Sequence, residues 1–166
     1  MIEGKVIKLG DDVNTDLVIA GKYKFRSVTI DDMAKHIFED LDPSLASRIK
    51  HGDIVVAGKN FGCGSSREQA PRVMVAAGIS AVVAKSFARI FFRNAINIGL
   101  PVIAVGEKFV DSTSEADLLE IDLKQSTVRN LTKNLEEQFK PFPPQLLGIL
   151  EAGGLVFYVK KRGAML

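Results

Sequence analysis

The residues best equipped for chemistry stand together in Gly58-Lys59-Asn60-Phe61-Gly62-Cys63-Gly64-Ser65-Ser66-Arg67-Glu68. A thiol, two adjacent hydroxyls, a guanidinium and a carboxylate follow one another on a chain loosened by three glycines. Pro71 is tolerated only near the first turn of a helix, so the spacing predicts that a helix opens between Arg67 and Ala70. Ser65 and Ser66 then precede the positive end of that helix, where free N–H groups favour an anion. Arg67 adds a planar fork that matches a carboxylate or a phosphate. The same spacing also fits capping boxes, Ser66 with Gln69 or Ser65 with Glu68, and an ordinary ion pair for Arg67 with Glu68 or a nearby aspartate. Familiar glycine motifs fail here. A phosphate loop counted from Gly58 would need glycine at Cys63, a dinucleotide fingerprint from Gly62 would need glycine at Arg67, and a hydrolase elbow from Gly64 would need it at Glu68.

The elements that must position this loop read clearly on either side of it. Asp53-Ile54-Val55-Val56-Ala57 is a buried strand, and residues 69–77 form a helix closed by Gly78. Ala81-Val82-Val83-Ala84 is a second strand. A helix over 87–98 follows, capped by Ser86 and ended by Gly99, and residues 101–105 form a third strand. Strand–helix–strand–helix–strand at these lengths is a parallel unit with right-handed crossovers, and its near-continuous apolar strands imply a sheet covered on both faces. Before this unit come a strand over 2–8, a polar loop over 11–16, a short strand Leu17-Val18-Ile19 and a basic, aromatic loop over 21–28. A helix begins at the cap Thr29, with Asp32 three residues on, and a short helix spans 43–49. After it come a hairpin, 119–123 with 127–131, a helix opened by Pro144 and running to Glu151, and a final strand over 155–159.

The totals narrow the class. The chain has 166 residues, 46% hydrophobic and 25% charged, which suits a single α/β domain over 1–166. The net charge of +2 gives no footprint for nucleic acid, and no apolar run is long enough for a membrane span. Met1-Ile2-Glu3-Gly4-Lys5 has no apolar signal core, so the cytoplasm is the expected location. One cysteine, Cys63, excludes an internal disulfide and an iron–sulfur cluster or Cys-rich zinc site built from this chain alone. The two histidines, His36 and His51, read as structural or surface residues, and a multi-histidine metal site is not expected.

At Gly62-Cys63-Gly64-Ser65-Ser66-Arg67-Glu68-Gln69-Ala70-Pro71 the sequence resembles the aconitase superfamily and, more narrowly, its isopropylmalate dehydratase small subunits. The likeness extends to Gly10-Asp11-Asp12-Val13-Asn14-Thr15-Asp16, to residues 84–91 and to residues 93–101, four motifs in order and at the family's spacing. Gln69 departs from it, standing where many relatives carry histidine. The resemblance implies a swivelling β/β/α domain that closes over a site shared with a large subunit. It implies a hydro-lyase that moves water between neighbouring carbons of a hydroxy di- or tricarboxylic acid, with a [4Fe–4S] cluster held by the partner and no cofactor held by this chain.

Carried over residue by residue, the family pattern makes Ser65 the base that removes a carbon-bound proton. Ser66 and Arg67 bind substrate carboxylate, and Arg26, in Tyr23-Lys24-Phe25-Arg26, is the nearest match to a further substrate-binding arginine. A serine alkoxide needs stabilisation, which the N–H groups of the glycine loop, Gly64 among them, and Arg67 would supply in a closed, dry site. Charge and proximity make Asp16 a second-layer partner that positions an arginine or the loop. The expected reaction is 2-isopropylmalate to 3-isopropylmalate in leucine biosynthesis, with homoaconitase and dimethylmalate- or citraconate-type dehydratases as alternatives. The reading from another class is a non-catalytic module that holds a carboxylate or phosphate.

Overall fold

The computed structural model describes residues 1–23, 29–65 and 67–163. The described residues form one sheet of seven strands, in the order β4-β3-β2-β1-β5-β6-β7. β1 (Ile2–Lys8) is the strand on which the two halves meet. Its second half, Val6 to Lys8, pairs parallel with β2 (Ile54–Ala57), while Ile2 to Lys5 pairs antiparallel with β5 (Leu118–Asp122). β3 (Ala81–Ala84) and β4 (Val102–Ala104) continue the parallel half, and β6 (Thr127–Asn130) and β7 (Leu135–Gln138) continue the antiparallel half.

The period-two geometry of a strand explains why β2 and β3 are apolar throughout. Val55, Ala57, Val82 and Ala84 point into one core; Ile54, Val56, Ala81 and Val83 point into the other. The first core is covered by α4 (Gln69–Ala76), α5 (Arg89–Asn97) and α7 (Pro144–Glu151), which contribute Val73, Met74, Phe91, Ile96, Ile149 and Leu150. α2 (Ile30–Ala34) adds Met33 and α3 (Leu45–Arg48) adds Leu45 to the same core. The second core is closed by α6 (Glu107–Ser112), through Phe109 and Val110, and by Leu119, Ile121 and Val128 of the antiparallel strands.

The predicted βαβαβ unit is present, and so are the helix opened by Pro144 and the cap at Thr29, whose hydroxyl accepts from the Asp32 N–H at 3.1 Å. Four elements differ. Leu17-Val18-Ile19 is not a strand: Asn14 caps a helical turn, α1 (Thr15–Val18), by accepting from the Leu17 N–H at 3.0 Å, and this local bond outweighs the β preference of a three-residue apolar run. Residues 155–159 belong to a helix, α8 (Leu155–Gly163), rather than to a final strand. A five-residue apolar run carries no period of its own, and the Gly153-Gly154 turn, with both φ positive, sends the chain back along α7 instead of to a sheet edge. Ser86 does not cap α5. Ala88 occupies that position without a side-chain bond, and the Ser86 hydroxyl instead accepts from the Asn60 N–H at 2.8 Å. The hairpin gains a third strand, β7, across a turn with Asn134 at φ 51°.

The antiparallel half is tied at one buried corner. Asn130, fully buried, donates to Asp117 at 2.8 Å and to the Thr113 hydroxyl at 3.3 Å, and its own carbonyl accepts from the Lys133 N–H at 3.0 Å. Asp117 also accepts from the Ser114 N–H at 2.8 Å and pairs with Lys133 at 3.3 Å. Burial alone would raise the Asp117 carboxyl, but Ser114, Asn130 and Lys133 together hold it below its ordinary value. No described helix is long and apolar enough to cross a membrane.

Candidate active site

The glycine loop does not hang free after β2. It runs beside the segment that follows β1, and the two are hydrogen-bonded along their length as an irregular continuation of the parallel pair. The Gly58 N–H donates to Gly10 at 3.0 Å, Asp12 to Lys59 at 2.8 Å, Gly62 to Val13 at 2.8 Å and Thr15 to Cys63 at 3.0 Å. Side chains add to the seam: Asp11 accepts from the Lys59 N–H at 2.6 Å, and the Asn60 amide donates to Asp12 at 2.9 Å. Gly58 is required by this closeness, since a Cβ there would lie 1.7 Å from the Asp11 carboxylate.

At the end of the seam the Thr15 hydroxyl donates to the Ser65 carbonyl at 2.7 Å, which fixes the backbone of Ser65 from the neighbouring segment. The exposed Ser65 hydroxyl accepts from Nε of Arg67 at 3.0 Å. Arg67 is itself held. Its Nη2 pairs with Asp16 at 2.5 Å and its Nη1 donates to the Ile19 carbonyl at 3.3 Å. The Arg67 side chain is 20% exposed while Asp16 is 53% exposed, so the ion pair has a wet side and a sheltered side. The ion pair open to Arg67 therefore exists, with Asp16, for which charge and proximity had left either an arginine or the loop. The expected cap by Ser65 does not: α4 starts after Glu68 with no side-chain bond at its N-cap, so the Ser65 hydroxyl is not occupied in holding a helix.

The far wall comes from α5. Residues 61–62 and the start of α5 are stitched by two backbone bonds, Phe61 N–H to Ser86 at 3.0 Å and Ala88 N–H to Phe61 at 2.9 Å. Gly62, at φ 78°, lets the Phe91 ring lie where a side chain would be; a Cβ there would fall 2.2 Å from the ring. The result is a pocket of about 290 Å³ between the glycine loop and α5, lined by Thr15, Gly64, Ser65 and Arg67 on one side and by Arg89 and Asn94 on the other. It is at the small end of ligand sites, a size for a compact acid rather than a nucleotide. A larger cavity of about 560 Å³, with Phe87, Phe92, Ile96 and Leu146 in its walls, contains none of Asp16, Ser65 or Arg67. The larger cavity also carries Lys85, Arg89 and Arg93, so Arg89 borders both; the smaller pocket is the better candidate because Ser65 and Arg67 open onto it.

Of the residues singled out in the sequence, Asp16, Gly64, Ser65 and Arg67 come together. Ser66 and Arg26 lie outside the described residues. Thr15, Arg89 and Asn94 were given no role by sequence reasoning. Sequence reasoning opened this helix at residue 87, so Arg89 did not stand out as its first residue, a position where the helix dipole opposes a cation. His36 is bound to Glu39 at 2.7 Å and stacked on Tyr23, a structural arrangement, and Glu39 is pulled down to about 2 by the hydrogen bonds of Tyr23, Lys22 and His36. Among the described residues no group of three or more His, Cys, Asp or Glu could hold a metal ion.

Comparison with known proteins identifies the family. Residues 19–107 match the Aconitase C-terminal domain family. The chain is 51% identical to a 3-isopropylmalate dehydratase small subunit of Thermodesulfovibrio yellowstonii, covering 99% of this chain and 96% of that one. It is 50% identical to a methanogen homoaconitase small subunit of Methanothermobacter thermautotrophicus, covering 97% and 92%. The crystal structure of a 3-isopropylmalate dehydratase from Methanocaldococcus jannaschii superposes with a TM-score of 0.92 at 44% identity, over 99% of this chain and 96% of that one. The chain belongs to the aconitase family, in the branch that contains the small subunits of 3-isopropylmalate dehydratase and homoaconitase.

Proposed function

We propose that this chain is the small subunit of a two-part hydro-lyase that converts 2-isopropylmalate to 3-isopropylmalate by dehydration and rehydration, the step that serves leucine biosynthesis in the cytoplasm. The observation that carries the reading is the Ser65 hydroxyl, exposed in a small pocket and bonded to the sheltered Nε of an arginine that Asp16 pins in place. An arginine directed at a hydroxyl oxygen favours its alkoxide form, which is what a serine needs before it can act as a base.

In this reading Ser65 takes the proton from the carbon next to a carboxylate. The electron pair left behind forms the carbon–carbon double bond as the hydroxyl departs from the neighbouring carbon. The reverse steps, with water added at the other carbon, complete the isomerisation. Arg67 keeps two N–H bonds beyond those used by Ser65, Asp16 and Ile19, and Ser66 stands next to it, so both are placed in sequence to meet the carboxylate whose charge grows on proton loss. Departure of the hydroxyl from carbon needs an acid on its oxygen, and in the family this chain resembles that acid is the Lewis acid of a [4Fe–4S] cluster. This chain's residues do not fit a [4Fe–4S] cluster, having one cysteine in all, so that group is assigned to the large subunit. A module that merely held a carboxylate would have no use for the bond between Arg67 and Ser65.

Homoaconitase is the second reading, favoured by the relative from Methanothermobacter and by Arg26, which would suit a distal carboxylate. Anaerobic co-purification with the large subunit, followed by turnover of 2-isopropylmalate beside homocitrate, citrate and 2,3-dimethylmalate, separates the two. The expected result is highest kcat/KM on 2-isopropylmalate and no turnover by either subunit alone, with Arg26→Ala changing the ranking of acids more than the overall rate. Turnover by the isolated chain, or a clear preference for homocitrate, overturns the primary reading.

A further inference from the structure

We propose that Arg89 is a second anion-binding residue of this site, taking the substrate carboxylate that Arg67 does not. The inference rests on the functional reading above and extends it to a residue that lies within the motif at residues 84–91 but was given no role there.

The argument is one of charge in the pocket. Arg67 is the cation on the glycine-loop side, and its charge is already met by Asp16 at 2.5 Å. A dicarboxylic acid entering the pocket brings two negative charges, and a further cation on its wall would add to what Arg67 and the expected Arg26 supply when those carboxylates are desolvated. Arg89 lines the same pocket from the opposite wall. Among the described residues no carboxylate pairs with Arg89, and no side-chain hydrogen bond occupies it or its pocket neighbour Asn94.

Stability does not explain the position. Arg89 opens α5, a helix with no acidic residue in its first turn and no side-chain cap, where a cation meets the positive end of the backbone dipole. A guanidinium held there without a partner weakens the helix slightly, and a bound carboxylate reverses the sign of that effect. Arg89 and Ile90 are exposed while Phe91 beside them is buried, so a carboxylate at Arg89 would form its charge-assisted bond at the solvent edge of the pocket, next to Asn94. The backbone bonds joining Phe61 to Ser86 and Ala88 fix this wall relative to Ser65, so the two anion positions are separated by a set span. That span selects for diacids over monoacids.

The test uses the reconstituted two-subunit enzyme. Arg89→Gln and Arg89→Lys are compared with wild type in steady-state turnover of 2-isopropylmalate, in assembly by size-exclusion chromatography, and in inhibition by a malate analogue beside its mono-amide. Arg89→Gln is expected to raise KM on the order of ten- to a hundredfold, the loss typical of a hydrogen bond to a charged group, with a smaller change in kcat. Arg89→Lys recovers part of the loss. Wild type prefers the diacid inhibitor to the mono-amide, and Arg89→Gln loses that preference. An unchanged KM, or an unchanged preference between the inhibitors, overturns the proposal. Failure of Arg89→Gln to assemble with the large subunit also overturns it, by making Arg89 an interface residue. A wild-type complex that converts none of the hydroxy acids overturns the functional reading itself, and that result is seen before any variant is made.

Discussion

The glycine loop and the Asp117–Asn130 corner are built alike and finished differently. Each joins separate stretches of chain through short polar side chains. At the corner the bonding capacity is used up: Asn130 both donates and accepts, Asp117 meets an N–H, an amide and an ammonium, and Thr113, Asp117 and Asn130 are buried. At the loop the backbone is tied to the preceding segment at Gly58, Gly62, Cys63 and Ser65, but side-chain capacity is left over. The Ser65 hydroxyl is exposed, Arg67 retains N–H groups and Arg89 faces a pocket. A structural polar cluster spends its bonds on itself, whereas a site fixes its frame and keeps its reactive ends open.

Substitutions can break this contrast from either side. The largest effect is expected for Ser65→Ala in the assembled enzyme. Turnover should fall about 10³-fold, the usual worth of a positioned base and equal to about 4 kcal/mol of barrier. The melting temperature should stay within a degree or two, because the Thr15 bond reaches the Ser65 carbonyl and not its side chain. Near-normal turnover would remove Ser65 from its role. Gly62→Ala should lie between the two classes. The left-handed backbone costs an alanine about 1–2 kcal/mol and displacement of Phe91 costs about 1–3 kcal/mol. Both stability, by chemical denaturation, and KM should therefore suffer, since Phe91 also lines the pocket. A neutral Gly62→Ala would show that the α5 wall is not set by this contact.

Asp117→Asn should act on stability alone, by about 1–3 kcal/mol, with kcat of the folded enzyme unchanged. Its pH signature follows from the depressed carboxyl. The stabilisation is complete above the ordinary aspartate value of about 4. It is lost as pH falls from there through the lower native value. Thermal unfolding followed from pH 6 to pH 3 should therefore fall less steeply in Asp117→Asn than in wild type, and parallel curves would show that the corner is not what acid attacks.

Much of this was legible in the sequence, for local reasons. β2 and β3 have one apolar pattern that fits a doubly covered strand, and Pro71 and Pro144 mark helix starts that no other geometry permits. Asp16 was assigned by charge to an arginine or to the loop, and a nearby aspartate was one of the partners open to Arg67; the structure joins the two. What was not legible depends on partners far away in the chain. The α5 wall enters the site because Phe61 bonds to Ser86 and Ala88, and nothing near Arg89 announces that contact. The run 155–159 has strand composition, yet its neighbours leave it to a helix with Val156, Phe157 and Val159 exposed. Ser86 suits a cap, and a loop twenty-six residues earlier claims its hydroxyl.

The seam between residues 10–15 and 58–65 has a mechanical consequence. Because the loop is laced to its neighbour, and both are rooted in adjacent strands of the sheet, the site has no hinge of its own. Ser65 cannot approach or retreat from a substrate by loop motion without tearing bonds continuous with the sheet. The pocket is therefore as stiff as the strands that carry it, and the spacing of its walls is kept by the sheet.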